Sequence, residues 1–220
     1  MTPDSPQSQR FFRSARGLSA FFWATLIALV GNWVAGIAQF SVGAALFLRC
    51  LFVVPLLLGL VTMRAAMAGM RESGTFGAFS ALTVALAGLS PFWGFWETHP
   101  GTGYFAWNAI ALCVVWLLWL VMACRLCRRY ARDLGTPHLA TEAAVASVMV
   151  LMVGVGIAGL AWFLLIRDAR VVTAENLLLV FDEIAGESRF LVSMPFLLTA
   201  YTLWLAKEAG FRSLMAPRDP

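Results

Sequence analysis

Between Gly17 and Met63 the only charged residue is Arg49. A stretch that long and that apolar has few places to go: it exceeds the roughly 20 residues of one membrane crossing and suits two. Further along, Ser73 to Trp96, Thr98 to Ala123 and Ala143 to Ile166 are each free of charge and long enough to span, and Phe190 to Ala206 reaches the lower limit. Composition agrees, with 60% apolar residues, 13% charged residues and a mean hydropathy of +0.79, far from the balance of a water-soluble domain.

The expected fold is therefore an all-α integral membrane protein, one bundle of six transmembrane helices at about 18–36, 43–63, 74–96, 103–124, 143–166 and 189–206. Residues 1–16 form a polar, basic tail with a disordered start, and 207–220 a second tail. The first turn falls near Gly36 to Gly43, where Gln39 and Ser41 interrupt the aliphatics. Arginines ahead of Leu18 to Val30 resemble a secretory signal, but no small-x-small cleavage site follows, so a retained first helix is expected.

Cations near helix ends resist translocation, and their placement orients the chain. With the N-terminus inside, the inner segments hold Arg10, Arg13, Arg16, Arg64, Arg71, Arg125, Arg128, Arg129, Arg132, Lys207, Arg212 and Arg218. The outer loops carry Arg167, Arg170 and Arg189 against Glu97, Asp168, Glu175, Asp182, Glu183 and Glu187. Both termini are expected in the cytoplasm. Fifteen arginines to one lysine are associated with GC-rich bacterial genomes, hence a bacterial cytoplasmic (inner) membrane.

In that frame PFWGFWETHPGTGYFAW (91–107) is the outer end of helix three, a turn at His99-Pro100-Gly101 and the start of helix four. Trp and Tyr collect in the headgroup layer because a flat amphipathic ring suits it, so an aromatic belt accounts for the stretch. The sharper reading makes Trp93, Trp96, Tyr104 and Trp107 the walls of an outward-facing ligand pocket with Glu97 and His99 at its rim. Arg49, inside helix two, costs a few kcal/mol in lipid unless it is paired or snorkels. Glu97 is its expected partner, and Asn32 of helix one can hydrogen-bond into the same region or act as helix–helix glue.

Other features carry competing readings. Arg125, Arg128, Arg129 and Arg132 recur at i, i+3, i+4, i+7 and share one helical face, a collar for anionic lipid headgroups or a dock for partner subunits. That short basic face does not support nucleic-acid binding. Cys124-Arg-Leu-Cys127 is a lone C-x-x-C on the reducing side, and His99 and His138 fall on opposite sides, so no metal, haem or other cofactor is expected. Nor does any Asp, Glu, Lys or His sit mid-membrane, where ion-coupled carriers keep such groups. Between helices five and six, TAENLLLVFDEIAGES places Ala174, Leu177, Leu178, Phe181, Ile184 and Ala185 on one face, with Thr173 capping the start and Gly186 the end. This predicts an amphipathic helix on the outer surface.

Pro55, Pro91 and Pro195 can kink their helices, and Ala20, Ala24, Ala28, Gly31 and Ala35 form a small-residue stripe suited to close contact within the chain or with another. No P-loop, nucleophile elbow, H-E-x-x-H or paired acidic metal-diphosphate motif occurs, so nothing marks an enzyme. In layout, six helices with both ends inside and an outer helix before the last crossing resembles export-type ABC permeases. The small size and alanine stripe are similar to those of substrate-binding subunits of energy-coupling-factor importers. Layout alone does not fix function. The readings that remain are a small transport component with an outward-facing aromatic site, a structural or assembly subunit of a larger membrane complex, and a membrane enzyme working through Glu97 and His99.

Overall fold

The computed structural model describes residues 6–37, 41–67 and 74–215, all helices and connecting turns, with no strand among the described residues. Arg71, Arg218 and Gln39 lie outside the described residues, as does the polar start up to Ser5. Among the described residues, six segments are long and apolar enough to cross a membrane: Gln9–Ala35, Val42–Ala66, Gly74–Thr98, Gly103–Asp133, Pro137–Arg167 and Arg189–Met215. The first crossing is α1 (Pro6–Ile37), which begins within the segment expected as a tail. The second is divided into α2 (Val42–Cys50) and α3 (Val53–Met67), and the third into α4 (Gly74–Leu89) and α5 (Phe92–Thr98). The fourth and fifth are α6 (Gly103–Asp133) and α7 (Pro137–Arg167). A shorter helix, α8 (Ala174–Glu187), precedes the last crossing, α9 (Arg189–Met215), which continues well past Lys207.

Two prolines explain the divided crossings. Pro55 has no N–H to return to the carbonyl of Leu51, which accepts from Val54 N at 3.4 Å instead, and the helix restarts around it. Pro91 likewise leaves the carbonyl of Ala87, which the Ser90 hydroxyl satisfies at 2.8 Å. Between α6 and α7 the chain stops by a different device. Gly135 takes φ +67°, Gly135 N donates to Arg132 O at 3.0 Å and Thr136 N to Ala131 O at 2.9 Å, the paired bonds of a Schellman ending. Pro137 then opens α7, where its missing N–H costs nothing.

The core is aromatic at its centre. Trp119 of α6 is fully buried and meets Phe21 of α1 at 5.8 Å and Phe79 of α4 at 5.4 Å, while its Nε1–H donates to Thr83 Oγ1 at 3.0 Å. The indole thus packs three helices and leaves no orphan donor. The small-residue stripe of α1 is used inside the chain. Ala24, Ala28 and Gly31 are buried, and a Cβ on Gly31 would stand 2.7 Å from the backbone oxygen of Leu48 in α2. Gly17 and Gly59 make a similar approach between α1 and α3.

The outward face of α7 is apolar. Val148, Met152, Val155 and Phe163 are each more than half exposed, a surface suited to hydrocarbon rather than water. Phe12 and Phe211 meet at 6.3 Å, so both ends of the described chain lie at one end of the bundle, together with the α6–α7 turn. The α5–α6 turn, α8 and the start of α9 lie at the other.

Candidate functional site

That second end holds a cavity of about 830 Å³, within the range of small-molecule sites. Its mouth carries Arg49, Glu97, Asp182 and Arg189, and its aromatic walls include Trp33, Trp93, Trp116, Phe181 and Phe196. Along α6 the lining runs from Ile110 to Leu120, which at 1.5 Å per residue is about 15 Å of depth. Polar groups therefore crowd one end of an otherwise apolar slot.

The mouth is assembled from two short helices. In α2, Leu46 and Arg49 are three residues apart and share a face; in α5, so do Gly94 and Glu97. A Cβ on Gly94 would lie 2.7 Å from Leu46 Cδ1, so the missing side chain lets α2 come close enough for the Arg49 guanidinium to bond Glu97 Oε2. Trp93, one turn before Glu97, donates its Nε1–H to Oε1 at 2.8 Å. Each carboxylate oxygen thus has a donor, on a glutamate that stays exposed at the mouth while its arginine is largely covered. The Arg49 side chain is only 9% exposed, and its Nε is buried with no partner. Arg49 lines the cavity, while its Nε is itself covered by protein and closed to an occupant.

Asp182 of α8 faces the same mouth and makes no hydrogen bond or ion pair with a described residue. Partial burial, then the nearby Glu97 carboxylate, raise its pKa from the ordinary aspartate value; Arg49 opposes them, and Glu183 adds a smaller push upward. The folded chain therefore holds a proton on Asp182 more tightly than the unfolded chain. Stability falls as pH rises through the window between the unfolded and folded values, and is regained on acidification. Asp182→Asn removes that charge. Its thermal unfolding temperature is expected slightly above that of the wild type at neutral pH, and the gap should close in acid; a gap independent of pH would refute the assignment.

The amphipathic helix forms with Thr173 as its cap, the hydroxyl oxygen accepting from Asn176 N at 3.2 Å. It ends one residue beyond Gly186, with Ser188 as C-cap. Its apolar surface is wider than the expected stripe. Val180, outside that stripe, is fully buried and clusters with Ile184 against Ala161 and Leu165 of α7. Ala174 and Leu178 pack on Trp96, Ala106 and Ala109. The helix is seated on the bundle and closes one side of the cavity with Leu177, Phe181 and Ala185.

The residues of 91–107 divide. Trp93 and Glu97 line the cavity. Trp96 is buried behind them, its ring 5.4 Å from that of Trp93, with Nε1 lacking a partner. His99 is exposed and turned to Phe105 at 5.9 Å, its Nδ1 2.9 Å from Thr98 Oγ1. Tyr104 and Trp107, each 64% exposed, point out of the bundle. Neither they, His99 nor Trp96 is part of the cavity lining. Asn32 is part of it. So is Trp33, whose Nε1–H donates to Ser193 Oγ at 3.1 Å across 160 positions of sequence.

Elsewhere, Arg125, Arg128, Arg129 and Arg132 are exposed at the opposite end. Cys124 and Cys127 are buried, free thiols, Cys124 within 3.7 Å of Thr199 Oγ1. Among the described residues no three His, Cys, Asp or Glu side chains come together as a metal site would need. No protein-family model matches the chain, and no curated protein and no solved structure is similar to it.

Proposed function

We propose that this chain is the ligand-binding membrane component of a transport system, lying in a bacterial cytoplasmic membrane with both termini inside and the cavity open to the outer side. The orientation rests on the cations gathered at the end of the bundle that carries the termini. The observation that carries the binding role is the cavity itself: an aromatic slot whose mouth gathers Arg49, Glu97, Asp182 and Arg189. A packed helical scaffold has no structural use for that combination, whereas a ligand site does.

Transport would require other subunits, and the exposed row Arg125, Arg128, Arg129 and Arg132 suits a cytoplasmic partner or anionic headgroups. Part of the small-residue stripe, which an assembly subunit could have offered to a neighbour, is used inside the chain: Ala24, Ala28 and Gly31 are buried, Gly31 against Leu48 of α2. An enzyme working through Glu97 and His99 would need both at one site, and only Glu97 reaches the cavity.

The test is a ligand screen on purified protein in lipid nanodiscs, read by tryptophan emission. Trp33, Trp93 and Trp116 line the slot, so an occupant shifts the signal. Trp93→Ala removes a wall and a donor to Glu97, and is expected to weaken binding by about tenfold or more. A broad screen without any saturable change would defeat the reading.

A further inference from the structure

The four charged side chains at the mouth of the cavity are not equivalent as seen by an occupant. Arg49 is bonded to Glu97 and its side chain is almost wholly covered, whereas Glu97 keeps 35% of its surface. Asp182 is exposed there and makes no hydrogen bond or ion pair with a described residue. Among the charges acting on Asp182, Glu97 comes first, ahead of Arg49, and Glu183, itself held by Arg170 at 3.1 Å, adds a smaller push in the direction of Glu97. The balance at that carboxylate is negative. Arg189, which opens α9, lines the same mouth but forms no ion pair with Asp182.

The rings beside these carboxylates point to the same sign. Phe181 precedes Asp182 in α8 and meets Trp93 at 6.0 Å and 70°, and both rings line the cavity. The indole N–H of Trp93 is spent on Glu97, so what the two rings offer an occupant is their electron-rich faces. Deeper in, Trp116 touches Phe52 at 4.9 Å and Phe196 at 5.1 Å, and along α6 the lining stays apolar as far as Leu120.

We propose that the site takes an organic monocation, a quaternary or protonated amine on an apolar body, with the nitrogen placed between Asp182 and Glu97 against the rings of Trp93 and Phe181. The proposal rests on the cavity being a ligand site, as argued above. An incoming cation supplies Asp182 with a counter-charge that no described residue bonds to it, the ring faces attract it more strongly once water is displaced, and the apolar body is buried along α6. An anion finds Arg189 alone, and is repelled by two carboxylates and two ring faces.

The experiment compares three probes that share a phenylbutyl body and differ in the head: trimethylammonium, its neutral tert-butyl isostere, and sulfonate. Each is titrated against the full chain in nanodiscs of net-neutral phosphatidylcholine, so that the bilayer surface concentrates neither ion, and read by tryptophan emission against empty nanodiscs. The trimethylammonium compound is expected to saturate at about tenfold lower concentration than the tert-butyl compound, with the sulfonate weakest. Asp182→Asn should weaken the trimethylammonium compound about tenfold, and Asp182→Glu by no more than about threefold. Phe181→Leu keeps the apolar bulk but loses a ring face, and should lower the preference for the cation over the neutral compound about threefold. An equal loss of the tert-butyl compound in Asp182→Asn would overturn the charge contact. Equal affinity for the three heads, or preference for the sulfonate, would overturn the monocation while leaving the cavity as a ligand site. Silence of all three probes, with another compound class binding in the broad screen, would overturn this proposal alone; silence of the whole screen would overturn both.

Discussion

Glu97→Ala is expected to destabilise the folded chain by about 3 kcal/mol. The arginine it leaves behind is 9% exposed and has no second carboxylate bonded to it, while Glu97 itself is 35% exposed. Removing the partner of a largely covered cation costs more than the pair contributes, because the survivor keeps its desolvation penalty and loses its compensation. The glutamate's remaining access to solvent keeps the figure at the lower end of what such deletions cost. Trp93 Nε1–H also loses its acceptor, which adds a share. Arg49→Met combined with Glu97→Leu should recover most of the stability, since a well-packed apolar pair can replace an ion pair, yet it should abolish ligand-dependent fluorescence. Thermal unfolding in mild detergent measures the first effect and the nanodisc titration the second. If the single and double variants unfold at the same temperature, Arg49 is not covered in the way described.

Gly31→Val should be as damaging, by at least about 3 kcal/mol. The atom a new Cβ would meet at 2.7 Å is the backbone oxygen of Leu48, not the end of a flexible side chain. Relief requires α2 to move off α1 as a body, which also carries Arg49 away from Glu97. Gly17→Ala is the informative contrast. Its Cβ would meet Met63 Cγ at 2.5 Å and the backbone oxygen of Gly59 at 3.3 Å; the closest clash is with a buried but unbranched side chain, so about 2 kcal/mol is the expected cost, below that of Gly31→Val. Lower yield and a lower unfolding temperature for Gly31→Val, with a smaller loss for Gly17→Ala, would support the helix contacts. The reverse ranking would refute them.

The six crossings were legible because hydrocarbon thickness imposes a length that composition alone reveals, and the uncharged runs meet it. The Arg49–Glu97 contact was legible for a related reason. A charge inside a crossing is expensive, and few acids lay at a matching depth to compensate it. Aromatic residues carry no such address. Trp93 faces inward and Trp107 outward within the same short stretch, and a ring that suits a headgroup layer also suits a cavity wall. The bond from Trp33 to Ser193 joins the first crossing to the last, a pairing set by helix arrangement and by nothing local. The seat of α8 was hidden by Val180, since a period drawn through the other apolar residues leaves it on the wrong side. Prolines 55 and 91 were visible as kinks; that each would separate a short helix bearing one half of an ion pair was not.

The ion pair also has a consequence for synthesis. Arg49 leaves the ribosome 48 residues ahead of Glu97, and at about 5–20 residues per second several seconds elapse before its counter-charge exists. Through that interval the nascent second crossing carries an unneutralised guanidinium, which is kept at the headgroup boundary or in the shelter of the insertion machinery. On that ground the second and third crossings are expected to enter the bilayer together, as a hairpin.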